Sequence, residues 1–159
     1  TIRKIKKTKE MIDKEIEYFK EGLEQANEEF YLDAINKFSI LIDEYPSSDL
    51  ADDALFNIGL CYFNMKQLDH AIESFNQVII NYPEATISEI DEGAEFGKTA
   101  AKCHYLIFQC YLLLGKEENA KIELSNLMPF SQNTYVIVND RKVSFEELAM
   151  GLYNQFKNK

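Results

Sequence analysis

The sequence predicts an all-α solenoid of about three helix pairs with a C-terminal capping helix. Three observations carry this. Apolar residues recur at spacings of three, four and seven in six successive stretches. The two-helix phrase Ala54–Pro83 has a copy before it and another after it. Beyond Pro129 the repetition stops and a lone amphipathic helix ends the chain. Repetition at a near-constant period marks a stacked array, because one helix pair cannot bury its own apolar face.

The first copy opens with a long helix expected over 3–28. Ile5, Ile12, Ile16, Phe19, Leu23 and Ala26 turn inward, and the first turns project beyond the array. A short turn leads to a second helix at 32–44 with Ala34, Ile35, Phe38, Leu41 and Ile42 inward. Tyr45-Pro46 stops it, since a residue before proline is pushed out of helical backbone. Gly22, Ala34, Phe38 and Pro46 then recur 37 residues later as Gly59, Ala71, Phe75 and Pro83. Ser48 or Asp49 is the expected cap of the helix at 50–64, whose partner is 69–81. The third copy is offset by 49 residues: Cys61, Tyr62, Ala71 and Val78 become Cys110, Tyr111, Ala120 and Leu127. Its helices are expected at 96–114 and 117–128, with Gly115 as a left-handed end. Phe108 replaces Gly59 and Leu124 replaces Phe75, so this pair should splay or tilt.

The array therefore spans 1–129, with units 15–46, 52–83 and 101–129 and an insertion at 84–99. Two glycines and five acids make that insertion a loop, with one helical turn at 87–92. It is either functional or a passive surface excursion. Residues 130–159 form the cap. Thr134–Val138 is β-branched and aromatic, Asn139-Asp140 has turn chemistry and Lys142-Val143 follows, so the cap is a short hairpin plus helix, or the helix alone. Ser144-Phe145-Glu146-Glu147 is a capping box. Phe145, Leu148, Ala149, Leu152 and Phe156 line one face of the helix at 145–157 and suit it to cover the last unit.

Charge narrows the function. The net charge of −10 opposes binding to duplex nucleic acid, which needs a basic footprint. Residues 1–20 carry +3, leaving −13 on the rest. That basic start is either a contact for anionic lipid or an acidic partner, or simply a solvated helix end. No apolar run reaches the length of a membrane-spanning helix. The three cysteines cannot all pair within one chain, and Cys103 and Cys110 lie about 10 Å apart along one helix, beyond disulfide reach. The chain begins at Thr1 and reads as a fragment or mature form, so the missing targeting signal says nothing of compartment.

The repeated phrase resembles the tetratricopeptide repeat (TPR), an antiparallel helix pair of about 34 residues. Tyr18, Gly22, Ala34, Phe38 and Pro46 carry the likeness in the first unit. Leu55, Ile58, Gly59, Tyr62, Ala71, Phe75 and Pro83 carry it in the second, and Tyr111 and Ala120 in the third. The phrases E-Y-P-S-S-D-L-A-D-D-A and F-N-I-G-L-C-Y-F also look like TPR proteins of the bacterial cell envelope, of the outer-membrane assembly lipoprotein or Tol–Pal coordinator type. The resemblance implies a non-enzymatic scaffold that binds a protein partner, periplasmic or envelope-associated, otherwise cytoplasmic. A structural subunit of a flagellar or secretion machine is the alternative, as is a regulatory domain of a larger enzyme or sensor.

In such arrays the first helix of each unit lines the concave face. Aligned by offset, its rungs are Phe19, Phe56 and Tyr105, then Leu23, Leu60 and Gln109, then Ala26, Phe63 and Leu112. A ladder this apolar calls for cover. The cover is either a partner, as an amphipathic helix or extended peptide, or the chain's own 130–157 segment. Some TPR domains clamp an acidic C-terminus with Lys, Asn and Arg. Asn57 and Lys102 match that set, but Phe19, Leu23 and Leu106 fill the other places and cannot donate to a carboxylate.

No catalytic, metal or cofactor site is expected. His70 and His104 lack neighbours at metal spacing. Cys103 and His104, adjacent on a helix, diverge by about 100° and do not form a nucleophile–base pair. Cys61 and Cys110 read as core. Glu89, Asp91, Glu92 and Glu95 lack the alternate spacing of a calcium loop.

Overall fold

The computed structural model describes residues 7–87 and 95–159. Within them six helices stand as three consecutive pairs: α1 (Lys9–Asn27) with α2 (Tyr31–Glu44), α3 (Ala51–Asn64) with α4 (Leu68–Asn81), and α5 (Thr99–Leu113) with α6 (Glu117–Leu127). A seventh, α7 (Phe145–Lys157), closes the chain. Each pair packs on the next, with α3 against α2 and α5 against α4. This is the predicted TPR-like solenoid.

The turn inside each pair is built the same way. The backbone N–H of Phe30, Gln67 and Lys116 reaches back five residues to the carbonyls of Gln25, Tyr62 and Tyr111 at 2.8, 2.9 and 2.8 Å. Glu29, Lys66 and Gly115 sit just before them with φ of 66°, 62° and 70°. These are Schellman ends, which satisfy helix carbonyls that would otherwise lack partners. Only the third turn uses glycine. The side chains of Glu29 and Lys66 hold left-handed backbone at a cost of about 1–2 kcal/mol. Replacing either with glycine removes that cost but adds freedom to the unfolded chain. Glu29→Gly and Lys66→Gly should each stabilise by about 0.5–1 kcal/mol, read as a higher urea midpoint at unchanged slope.

Packing within each pair follows from one exchange of volume. A Cβ on Gly22 would lie 2.6 Å from the Phe38 ring, and one on Gly59 would lie 2.6 Å from the Phe75 ring. Both rings are fully buried. In the third pair the aromatic has moved to the first helix: Phe108 is fully buried against Ala120, with the smaller Leu124 beside it. The wedge expected at Phe108 is thus offset, and α5 and α6 remain packed along their length.

Several expected boundaries move, each for a local reason. The first helix begins at Lys9, not at residue 3, because the Thr8 side chain caps it by accepting the Met11 N–H at 3.3 Å. Ile5 lies outside the described residues. Ile12 and Ile16, expected inward, are 43% and 39% exposed. The place in α3 matching Ile12 is residue 49, before that helix starts. The buried residue on this turn is instead Glu15, paired with Lys7 at 2.8 Å and bonded by the Ser48 hydroxyl at 2.8 Å. Ser48 and Asp49 do not cap α3, whose N-cap is Leu50. The Ser48 oxygen accepts the Leu50 N–H instead.

The third pair starts at Thr99, not at residue 96, because Glu95–Phe96 is a strand, β1. It pairs antiparallel with β2 (Tyr135–Val138), which pairs with β3 (Arg141–Ser144). The β2–β3 hairpin turns at Asn139 and Asp140, both with positive φ, as a two-residue primed turn requires. The insertion and the C-terminal segment thus share one sheet. Gly97 makes this closeness possible: its φ is +114°, and a Cβ there would collide with Thr134 and the Asn133 carbonyl. The helical turn expected at 87–92 lies, but for Ile87, outside the described residues. Ser144 caps α7 by accepting the Glu147 N–H at 3.0 Å, while the Glu147 carboxylate is taken by Arg141 at 2.8 Å.

Candidate partner-binding groove

Alternation within pairs makes α1, α3 and α5 run in one direction, and α7 joins them. Its start meets α5 where the Phe145 and Tyr105 rings lie 5.4 Å apart. Its end shares a cleft with Leu112 and Leu113 at the end of α5. It leans on α5 more than on α6. The 130–157 segment therefore extends the row of first helices by one and packs around the third pair and β1.

The predicted rungs separate into core and surface. Phe19 packs on Phe38 at 5.8 Å and Phe56 on Phe75 at 5.6 Å. Phe56 is only 8% exposed and belongs to a cluster with Cys103 and Ile107 of the next helix. The Lys102 ammonium lies 5.2 Å above its ring and is ion-paired with Glu95 of β1. This first rung is therefore largely consumed by helix-to-helix packing, with Tyr105 held by Phe145.

The other two rungs stay half-open. Leu23 and Leu60 are half-buried, and Lys66 lies 5.7 Å over the half-buried Phe63 ring. Gln109 stands one helical turn from Tyr105, whose hydroxyl burial pushes above the usual tyrosine range. Leu112 is half-buried beside Leu148 and Leu152 of α7. A cleft of about 420 Å³ opens between α5 and α7, lined by Tyr105, Gln109, Leu112, Leu113, Leu152 and Phe156 among others. Leu113 is 60% exposed and Phe156 38%. Leu113, Leu152 and Phe156 were not among the sequence-derived site residues. Their signal was present in the apolar stripe of α7 and in the second leucine after Leu112.

Beyond α1 the surface changes to acid. Asp13, Glu17, Lys20, Glu21 and Glu24 line a depression of about 370 Å³ next to Ile16. By the offset of 37, Glu17, Glu21 and Glu24 stand where α3 has Ala54, Ile58 and Cys61 packed against α2. The outer edge of the array is thus polar at the places where the later pairs are apolar.

The groups weighed for chemistry sit elsewhere. Cys61, Cys103 and Cys110 are buried free thiols, pushed up to about 11, 12 and 12 chiefly by burial. A thiol held that far from ionisation is no nucleophile near neutrality. His104 Nδ1 lies 2.7 Å from Glu123 Oε2, an interhelical tie in the third pair. His70 stacks on Tyr62 at 5.1 Å. Among the described residues, no three His, Cys, Asp or Glu converge as a metal site would, and no helix is long and apolar enough to cross a membrane.

Residues 52–84 match the tetratricopeptide repeat. That span is the α3–α4 pair, with its Gly59–Phe75 contact and closing Pro83. A search of curated proteins finds no match. Among solved structures, a chain of the CopN–Scc3 complex is similar in fold, with a TM-score of 0.59 at 16% identity. The match covers 91% of this chain and 67% of that one. The likeness of fold thus extends over most of the chain and not the middle repeat alone.

Proposed function

We propose that this chain is a non-enzymatic scaffold that binds a segment of a partner protein across α1, α3, α5 and α7. The observation that carries the reading is the half-open apolar row Leu23, Leu60, Phe63, Leu112 and Phe156, which no part of the described chain covers over the first two units. A TPR-type array supplies the scaffold, since stacked pairs hold such a row on rigid helices and present it on one face. The turn phrase around Tyr45-Pro46 supports placing this scaffold in a bacterial envelope assembly.

A Leu60→Asp/Phe63→Asp variant tests the reading against Ile80→Asp, whose site on α4 is exposed and away from the row. Both proteins should keep their helical circular dichroism. In cross-linking pull-downs from the native organism, the double variant should lose the partners that Ile80→Asp retains. Retention of every partner by a folded double variant would refute groove binding. Recovery of those complexes from the soluble cytoplasmic fraction alone would count against the envelope.

A further inference from the structure

A carboxylate is buried at the start of the array, apart from the residues of the apolar row, where packing does not call for one. Glu15 is only 5% exposed. By the offsets of 37 and 49 its place belongs to Asp52 in the second pair and to Ala101, fully buried, in the third. A small apolar residue therefore satisfies this position. An ionised acid is costly to bury unless it is paired and hydrogen-bonded, and an apolar residue packs as well or better. What sets Glu15 apart is what it binds.

It binds one ammonium group. Lys7 Nζ lies 2.8 and 3.1 Å from the two Glu15 oxygens and 3.4 Å from the Ser47 carbonyl. Those are three acceptors for the three N–H donors of a lysine. The acceptors are braced from behind. The Ser48 hydroxyl donates to Glu15 Oε2 at 2.8 Å and accepts the Leu50 N–H at 3.1 Å, and Ser48 is itself buried. Glu15 stands on α1 and the two serines on the α2–α3 turn, whereas Lys7 precedes the Thr8 cap and belongs to no helix. The acceptors are thus fixed by packed elements and the cation is not. The Lys7 side chain is 28% exposed against 6% for Glu15, so the site opens to solvent on the ammonium side. The second pair has no such site: its counterparts of Lys7, Glu15 and Ser48 are Glu44, Asp52 and Ala85, which supply neither the cation nor the bracing hydroxyl. The helix pair as such does not require it.

We propose that Glu15, Ser48 and the Ser47 carbonyl form a socket for a lysine side chain, filled in cis by Lys7 and open to a lysine of another protein chain when Lys7 is withdrawn. Oxygens converging on one point suit a compact ammonium better than the planar fork of an arginine. The socket holds one cation, so the two lysines compete for it. It is a second docking point, independent of the apolar groove.

Chemical rescue of the full chain tests this by thermal denaturation. Lys7→Ala should lower Tm by about 3–8 °C. n-Propylammonium replaces the deleted atoms, and at about 50 mM it should restore at least about half of that loss, while 1-propanol and matched sodium chloride restore none. Nα-acetyl-lysine methylamide, standing for a lysine of another chain, should act likewise. The native protein, its socket filled, should shift by less than about 1 °C. Lys7→Ala/Glu15→Gln should not respond. Lys7→Met, whose uncharged chain blocks the path, should be destabilised and should not respond either. An unchanged Tm in Lys7→Ala, or an amine response as large in Lys7→Met as in Lys7→Ala, overturns the socket. If n-propylammonium acts and the blocked lysine does not, the site admits a free amine but no lysine of a second chain, and the docking inference falls.

Discussion

Phe75→Ala costs the array about 3–5 kcal/mol, a large part of the 5–15 kcal/mol typical of a domain. The ring is fully buried between α3, α4 and α5, in a cluster with Leu55, Phe56, Val78 and Ile107. Its removal leaves a void that close-packed helices cannot fill without moving apart. The opposite error is as damaging. In Gly59→Leu the first added carbon would lie 2.6 Å from the Phe75 ring. Helix propensity gains about 1 kcal/mol from losing glycine, but overpacking costs more than this once a whole side chain must find room. The two changes should compensate each other, because the third pair already carries that exchange as Phe108 and Leu124. Urea denaturation followed by circular dichroism should therefore give a Gly59→Leu/Phe75→Ala variant more stable than the two single losses added together. Strict additivity would mean that these residues do not share one space.

The second large effect is alkaline. The Cys61, Cys103 and Cys110 thiols are raised to about 11, 12 and 12 in the folded chain, chiefly by burial. In the unfolded chain they ionise at about 8.5. A raised folded value means stability that is complete below the unfolded value and lost as pH climbs toward the folded one. Each thiol should thus withdraw about 1.4 kcal/mol per pH unit above about pH 9. Stability measured at pH 7.5 and again at about pH 10.5 should drop steeply in the native protein. The drop should be shallower in Cys103→Ala and Cys110→Ala, whatever those variants lose at neutrality from their smaller side chains. Equal slopes in all three proteins would assign the alkaline loss to lysine ion pairs or tyrosines. Thiol-reactive dye should in turn label none of the three until the chain unfolds.

Much of the fold was written in local spacing. The Gly22–Phe38 and Gly59–Phe75 pairs, the prolines at 46 and 83, the Gly115 end and the Ser144 cap each act within a turn or one helix pair. Their consequences can be read without knowing the rest of the chain. The errors came where an element's fate depended on a neighbour far away in sequence. Ile12 looks like core by periodicity, yet it stands 43% exposed, and the matching place at residue 49 falls before α3 begins. Glu15 looks like surface, yet Lys7 and Ser48 enclose it. Glu95 and Phe96 look like the start of a helix, yet β2 recruits them into a sheet.

The candidate groove divides along the same line. Helical spacing placed Phe19, Leu23, Phe56, Leu60, Phe63, Tyr105, Gln109 and Leu112 on first helices, and it could do so because spacing along a helix sets direction around it. It could not say which of them the next helix would take. Phe56 went into the core, Tyr105 went under Phe145, and Leu60 and Phe63 stayed half-open. The sequence by itself determined the repeating pair, its turns and the face each residue occupies, since these are set by contacts a few residues apart. Only the tertiary structure decided which apolar residues on that face remain uncovered. That depends on where α5 and α7 come to rest, and a helix's position against its neighbours is a property of the packed array, not of its own residues.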